Sequence, residues 1–159
     1  MSTKASTPTE WVGIDVCKAK LDVYILSDHR YRVFENTEDG IAELIVWLQS
    51  YSAVGVVCEA TGGYEADMAR RLYACGMHVS VVNPRPVRDL ARALSKLAKT
   101  DPIDAYVIAK YGEVTEPAPT VFASEVADEL KQWVTRRQQL VEILSAEKNR
   151  RTLLPKGVA

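Results

Sequence analysis

The sequence predicts an α/β domain: a mixed five-stranded sheet with flanking helices, extended by one long carboxy-terminal helix. Three observations predict it. Trp11 to Val16, Lys20 to Leu26 and Tyr31 to Glu35 are successive β-type runs, parted only by "CKA" and "SDHR", breaks short enough to join antiparallel neighbours. Val54 to Ala60 and "HVSVVNP" are continuous apolar runs, as strands covered on both faces read, and helix-period segments follow them. Ser124 to about Leu153 is a single helical pattern.

The chain's 159 residues, 47% hydrophobic and 26% charged, are the composition of a soluble globular protein with room for one sizeable core. The opening "MSTKASTPTE" is polar and lacks the apolar region of a signal peptide, so residues 1–9 are expected to be a disordered tail and the protein cytoplasmic, with no membrane partner. Cys17, Cys58 and Cys75 show no CxxC spacing and His29 and His78 stand far apart, which excludes a disulfide framework and a zinc site. The three cysteines are expected to be buried, reduced thiols.

The first three runs form an antiparallel meander. In "NTEDG", Thr37 can cap a helix whose first turn carries Glu38 and Asp39, and Ile41, Leu44, Ile45 and Leu48 then recur at helical spacing to about Tyr51. Val54 to Ala60 is a buried strand ending in Glu59, and "TGG" breaks it. A helix from Tyr64 to Cys75 stops at Gly76, and "HVSVVNP" supplies the fifth strand. Pro86 to Lys99 and Pro102 to Tyr111 follow as helices, the second with Asp101 as N-cap and proline at the first helical position. Residues 10–112 thus make one domain, residues 113–123, with two prolines and no period, a linker, and residues 124–154 the long helix. The order βββαβαβ, with crossovers that set later strands parallel to the first, matches the ribonuclease H architecture.

Charge is unevenly spread. From Val33 to Ala69 there is no Lys or Arg but there are seven acids, and the positive charge comes later in clusters, which points to a polyanion on one face. Asp15 sits between Ile14 and Val16 on a strand bound for the core, where an ionised carboxylate is costly unless a cation meets it. Taken alone, it could equally close the strand and begin a turn. Asp15 and Glu59 stand near the carboxyl ends of strands that should be parallel neighbours, the edge where open sheets place ligands. "KTDPIDA" adds Asp101 and Asp104 from one helical turn; as N-cap and N3 residues they would stabilise any helix, and such capping leaves an oxygen for other work. Four carboxylates without paired histidines or thiolates suit a hard divalent ion, Mg²⁺ or Mn²⁺. Phosphodiester chemistry accumulates negative charge on both in-line oxygens, which such ions offset.

Arg85, Arg88, Arg92, Lys96 and Lys99 follow at spacings that line one side of a helix, with Val87, Leu90, Leu94 and Leu97 on the adjacent side. The row runs straight into "KTDPIDA", as a phosphate backbone held beside an acid cluster requires, though a solvated helix face reads the same way. "TGGY" could expose backbone N–H groups to a phosphate or simply turn the chain. On the final helix Val126, Leu130, Trp133, Val134, Leu140, Val141 and Leu144 approach a heptad seam, and a helix that long is expected to pair with another copy.

"GIDVCK", "EATGGYE" and "AKTDPIDA", in that order and spacing, resemble the three motifs of the DEDD transposases of the insertion-sequence one-ten type, relatives of the Piv DNA invertases, whose amino-terminal domain is similar to the resolvase RuvC. The resemblance implies a RuvC-like catalytic domain in which Asp15, Glu59, Asp101 and Asp104 bind Mg²⁺ or Mn²⁺. It also implies DNA cleavage and strand exchange guided by a structured bridge RNA; the homodimer or higher oligomer is expected from the final helix alone. Family members continue into a carboxy-terminal domain with a nucleophilic serine. Ser80, Ser95, Ser124 and Ser145 match no part of that motif, so an isolated acid domain, incomplete for full recombination, is expected here. Two other readings fit the pattern: a non-catalytic nucleic-acid-binding dimerisation module, and a fragment of an actin-like or sugar-kinase-type phosphotransferase, whose fold also opens with an Asp-bearing strand.

Overall fold

The computed structural model describes residues 8–94, 100–122 and 125–152. It falls into two units, residues 1–120 and 121–159. The first contains β1 (Glu10–Val16), β2 (Lys20–Ile25), β3 (Arg30–Glu35), α1 (Glu38–Leu48), β4 (Val54–Glu59), α2 (Ala66–Ala74), β5 (His78–Val82), α3 (Pro84–Ala93) and α4 (Asp101–Thr115). The second contains α5 (Glu125–Thr152).

The five strands form one sheet in the order β3-β2-β1-β4-β5. The first three are antiparallel, and β4 and β5 run parallel to β1 and to each other. This is the mixed, ribonuclease H-like sheet that the apolar runs predict. Thr37 caps α1 by accepting from the Gly40 N–H at 3.3 Å, and Gly76 ends α2 in the left-handed region at φ 80°.

Strand alternation divides the core. Trp11, Gly13 and Asp15 share the face of β1 that α4 covers; Trp11 and Val57 pack there with Val87 of α3 and Val107 and Ile108 of α4. Val12, Ile14 and Val16 point the other way and are fully or almost fully buried, as are Ile41, Leu44 and Leu48 of α1 and Met68 and Leu72 of α2.

The approach of α4 to β1 is set by small residues. A Cβ on Gly13 would stand 2.1 Å from the Ala105 carbonyl oxygen and 2.2 Å from the Ala109 nitrogen, and one on Gly112 would stand 2.6 Å from the Trp11 ring. Glycine inside a strand here marks where another backbone comes close.

Several expectations shift. Thr100, not Asp101, is the N-cap of α4, so Asp101 opens the helix, Pro102 follows it and Asp104 lies at the fourth position. Thr100 has the extended backbone usual for an N-cap residue, and its carbonyl accepts from the Ile103 and Asp104 N–H groups at 2.8 and 3.0 Å. The helix also runs on to Thr115, past the expected start of the linker at residue 113. Part of that linker is bound to the sheet edge: the Thr120 N–H donates to the Val79 carbonyl at 2.8 Å and the Val81 N–H to the Thr120 hydroxyl at 2.9 Å. These bonds blunt an exposed strand edge. Of the cysteines only Cys58 is buried, its thiol pushed up to about 12 by that burial, while Cys17 and Cys75 are exposed because each lies in a turn.

Lys96, Lys99, Ser95, Leu97, Ser124 and residues 1–7 of the expected tail lie outside the described residues. Thr9 does not: its N–H donates to the Ala53 carbonyl at 3.0 Å. Among the described residues no helix is long and apolar enough to cross a membrane.

Candidate active site

The parallel register of β1 and β4 pairs Gly13 with Val57 and Ile14 with Cys58, so one step further Asp15 lies beside Glu59 at the carboxyl end of both strands. α4 then carries Asp104 over the same edge, held down by the Gly13 contact described above. Asp15, Glu59 and Asp104 line one cavity of about 160 Å³, together with Arg88 of α3 and the apolar side chains Val87, Ala91, Val107 and Ile108. Three remote stretches of sequence are brought together there, and a guanidinium joins them.

The cavity's electrostatics follow from that crowding. Burial, and after it the charges of Asp104, Asp22 and Asp101, push the Asp15 carboxyl above the usual carboxylate range, while Lys20 pulls it back. A carboxylate so placed is stabilised by any cation that enters. In donor type the set is all oxygen, the chemistry of Mg²⁺ and Mn²⁺ rather than zinc. Among the described residues no three His, Cys, Asp or Glu side chains, as they are placed, are grouped so that they could hold a metal ion.

Asp101 does not line the cavity. Its side chain, 56% exposed, is bound by the Lys20 ammonium at the cavity's margin. Arg85, Arg88 and Arg92 are all exposed on α3, with Val87 buried behind them. Arg92 pairs with Asp89 of its own helix at 3.1 Å, and among the described residues of the row Arg88 is the one that lines the cavity.

The "TGG" turn is filled from within. Glu65 accepts from the Thr61 N–H at 3.1 Å, the Thr61 hydroxyl at 2.8 Å and the Gly63 N–H at 2.9 Å. A carboxylate of the chain itself takes the position a phosphate cradle would offer, so the glycines serve the turn, with Gly62 and Gly63 at φ 78° and 118°.

The sequence model of a transposase family, the DEDD type of insertion sequence IS110, matches residues 12–155. The chain belongs to the DEDD transposase family. Two relatives are the pilin gene-inverting proteins of Moraxella lacunata and Moraxella bovis, each 31% identical over 113 residues, an alignment covering 67% of this chain and 35% of the relative. The chain spans about a third of the length of those relatives.

In this DEDD transposase domain a further acid stands at the same edge, with a lysine and a tyrosine as its partners. Asp22 of β2 is the register partner of Asp15 and is only 2% exposed. It accepts from the Tyr31 hydroxyl and pairs with Lys20 Nζ at 3.0 Å, and burial followed by that hydrogen bond pushes the Tyr31 hydroxyl up to about 12. The signal was present: Asp22 stands between Leu21 and Val23 just as Asp15 stands between Ile14 and Val16. A second apolar-flanked acid on the adjoining strand marks the same edge of the sheet.

Proposed function

We propose that this chain is the acidic catalytic domain of a DNA recombinase that cleaves and exchanges phosphodiester strands with a divalent metal ion. The observation that carries the reading is the convergence of Asp15, Glu59 and Asp104, from β1, β4 and α4, on one cavity shared with Arg88. Asp15, Glu59 and Asp104 would hold Mg²⁺ or Mn²⁺, and Asp101 stands within reach of the same charge, raising Asp15 from α4's first turn. When bound, the ion polarises a phosphodiester oxygen and offsets the charge that builds on the in-line oxygens.

The chain's own groups do the positioning. Arg88 meets a phosphate entering the cavity, and Arg85 and Arg92, one turn to either side, extend the contact along the strand. Val87, Ala91, Val107 and Ile108 give the cavity dry walls, in which these charges act more strongly than in bulk water. Lys96 and Lys99 continue the arginine row in sequence.

DNA as the substrate class is supported by the family and by the two relatives being gene-inverting proteins. A structured guide RNA belongs to the same reading through the family resemblance, and the arginine face of α3 suits either polyanion. Oligomerisation through α5 is supported by Leu130, Trp133, Leu140, Val141 and Leu144, all exposed apolar side chains among the described residues of that helix.

A phosphotransferase would need a backbone cradle for a phosphate, and Glu65 fills the glycine turn that could offer one, which disfavours that reading. Titration of Mn²⁺ into the chain, followed by calorimetry and by the melting temperature, tests the proposal. Binding and stabilisation are expected, and Asp15→Asn and Glu59→Gln should abolish both while retaining the far-ultraviolet dichroism of the folded domain. A wild-type chain indifferent to Mn²⁺, or variants that bind it equally well, would leave only the non-catalytic module.

A further inference from the structure

Lys20 occupies a place that neither capping nor core packing explains. The turn before β2 fixes its backbone: the Cys17 N–H donates to the Lys20 carbonyl at 3.0 Å, and just past the end of β3 the Asn36 N–H donates to the Ala19 carbonyl at 3.0 Å. Alternation along β2 puts Lys20 and Asp22 on the face that α4 covers, where the first turn of α4 presents Asp101. The ammonium therefore meets two carboxylates at once, the buried Asp22 at 3.0 Å and the exposed Asp101.

These are not two unrelated surface pairs. Asp22 and Asp101 both raise Asp15, and among the described residues Lys20 lowers it. Asp15, Asp22, Asp101 and Asp104 thus form a single electrostatic cluster, and Lys20 is its resident cation. A monovalent charge on a tether and a diffusible divalent ion are alternative solutions to the same repulsion.

We propose that Lys20 is a built-in counter-ion that competes with the divalent metal for Asp101 and thereby sets the metal affinity of the site. The inference rests on the functional reading above. Without divalent ions, Lys20 holds Asp101 at the cavity's margin and neutralises Asp22. When the metal enters, Asp101 exchanges the ammonium for the ion, and Lys20 keeps Asp22 alone. Lys20 is in this account a positioning residue: it acts on the metal through Asp101 and through its charge.

Two measurements test this, both with Mn²⁺ as the probe. Calorimetric titration of Lys20→Met should show Mn²⁺ bound about tenfold more tightly than by wild type, since a positive charge near a divalent ion has been removed. Lys20→Arg, which keeps the charge, should stay within about twofold of wild type on the same argument. In the unaltered chain, acylation of the Lys20 amine, read by peptide mass spectrometry, should accelerate on adding Mn²⁺ as Asp101 lets go. This second readout needs no variant to fold.

A merely structural Lys20 predicts otherwise: the Met variant melts lower but binds Mn²⁺ with unchanged or weaker affinity, and amine reactivity does not respond to Mn²⁺. Either result overturns the proposal. If neither the wild type nor Lys20→Met binds Mn²⁺, the metal reading itself has failed. If both bind equally, only the role of Lys20 has failed.

Discussion

Gly13→Ala asks whether the site depends on backbone contact between β1 and α4. The added methyl would stand 2.1 Å from the Ala105 carbonyl oxygen, 2.2 Å from the Ala109 nitrogen and 2.9 Å from the Ala109 Cα. All three neighbours are backbone atoms, so no rotamer change relieves the clash, and α4 must move away from β1 by about 1 Å. Overpacking of a closed interface costs ~1–3 kcal/mol, and a clash against main chain belongs at or beyond the upper end. A loss of ~3 kcal/mol corresponds to a fall in melting temperature on the order of 10 °C for a domain of this size. The displaced helix also carries Asp104 and Asp101, so Mn²⁺ affinity should fall with stability.

Gly62→Ala is the control. Gly62 has φ 78° and nothing within 4 Å of an added Cβ, so its cost is backbone strain alone, about 1 kcal/mol, and metal binding should be untouched. Urea melts and Mn²⁺ titrations of both variants decide the matter. If Gly13→Ala is no less stable than Gly62→Ala and binds Mn²⁺ like wild type, α4 does not rest on β1 in the way that assembles the cavity.

Two further outcomes are expected. Burial raises the Glu65 carboxyl, but hydrogen bonds from its own backbone, Thr61 and Gly63 outweigh this and lower it below the usual range. Its stabilisation is therefore full above the unfolded-state pKa and is lost as pH falls through the lower folded-state value. Glu65→Gln should cost ~1 kcal/mol at neutral pH in thermal melts, and the gap between variant and wild type should close in acid; a gap that widens in acid would contradict the assignment. Arg88→Ala should leave stability within about 0.5 kcal/mol, because Arg88 is exposed and only Val87 beside it is buried. In DNA-binding titrations it should reduce the slope of log K against log salt by about 1, and an unchanged slope would remove Arg88 from the phosphate contact.

What the sequence disclosed and what it withheld have one physical cause. Apolar periodicity reports which face of an element leaves water, so the five strands, the helices and the ribonuclease H-like order were legible, and so was the pairing of Asp15 with Glu59, since parallel neighbours bring their carboxyl ends together. Periodicity does not report what a polar side chain on a covered face meets. "KLDVYI" alternates as a strand does and says no more of Lys20 and Asp22, yet their face lies under α4. The α4 cap shows the same limit from the other side. Both Thr100 and Asp101 are good cap residues in sequence, and the choice is made by tertiary structure: with Thr100 extended, Asp101 is carried into the helix and its carboxylate is turned to the Lys20 ammonium instead of to the orphan N–H groups.

The register of β1 on β2 therefore does more than align a hairpin. It fixes Asp15 opposite Asp22, and a slip of one residue would send Asp22 and Lys20 to the opposite face. Asp22 would then sit among Ile14, Val16 and the fully buried side chains there with no cation to meet it, and Asp101 would lose its partner. The electrostatics of the acid cluster and the pairing of the first two strands thus specify each other. The carboxylates that repel one another at this edge are held in place by a hairpin whose correct register is the arrangement that gives them a shared ammonium.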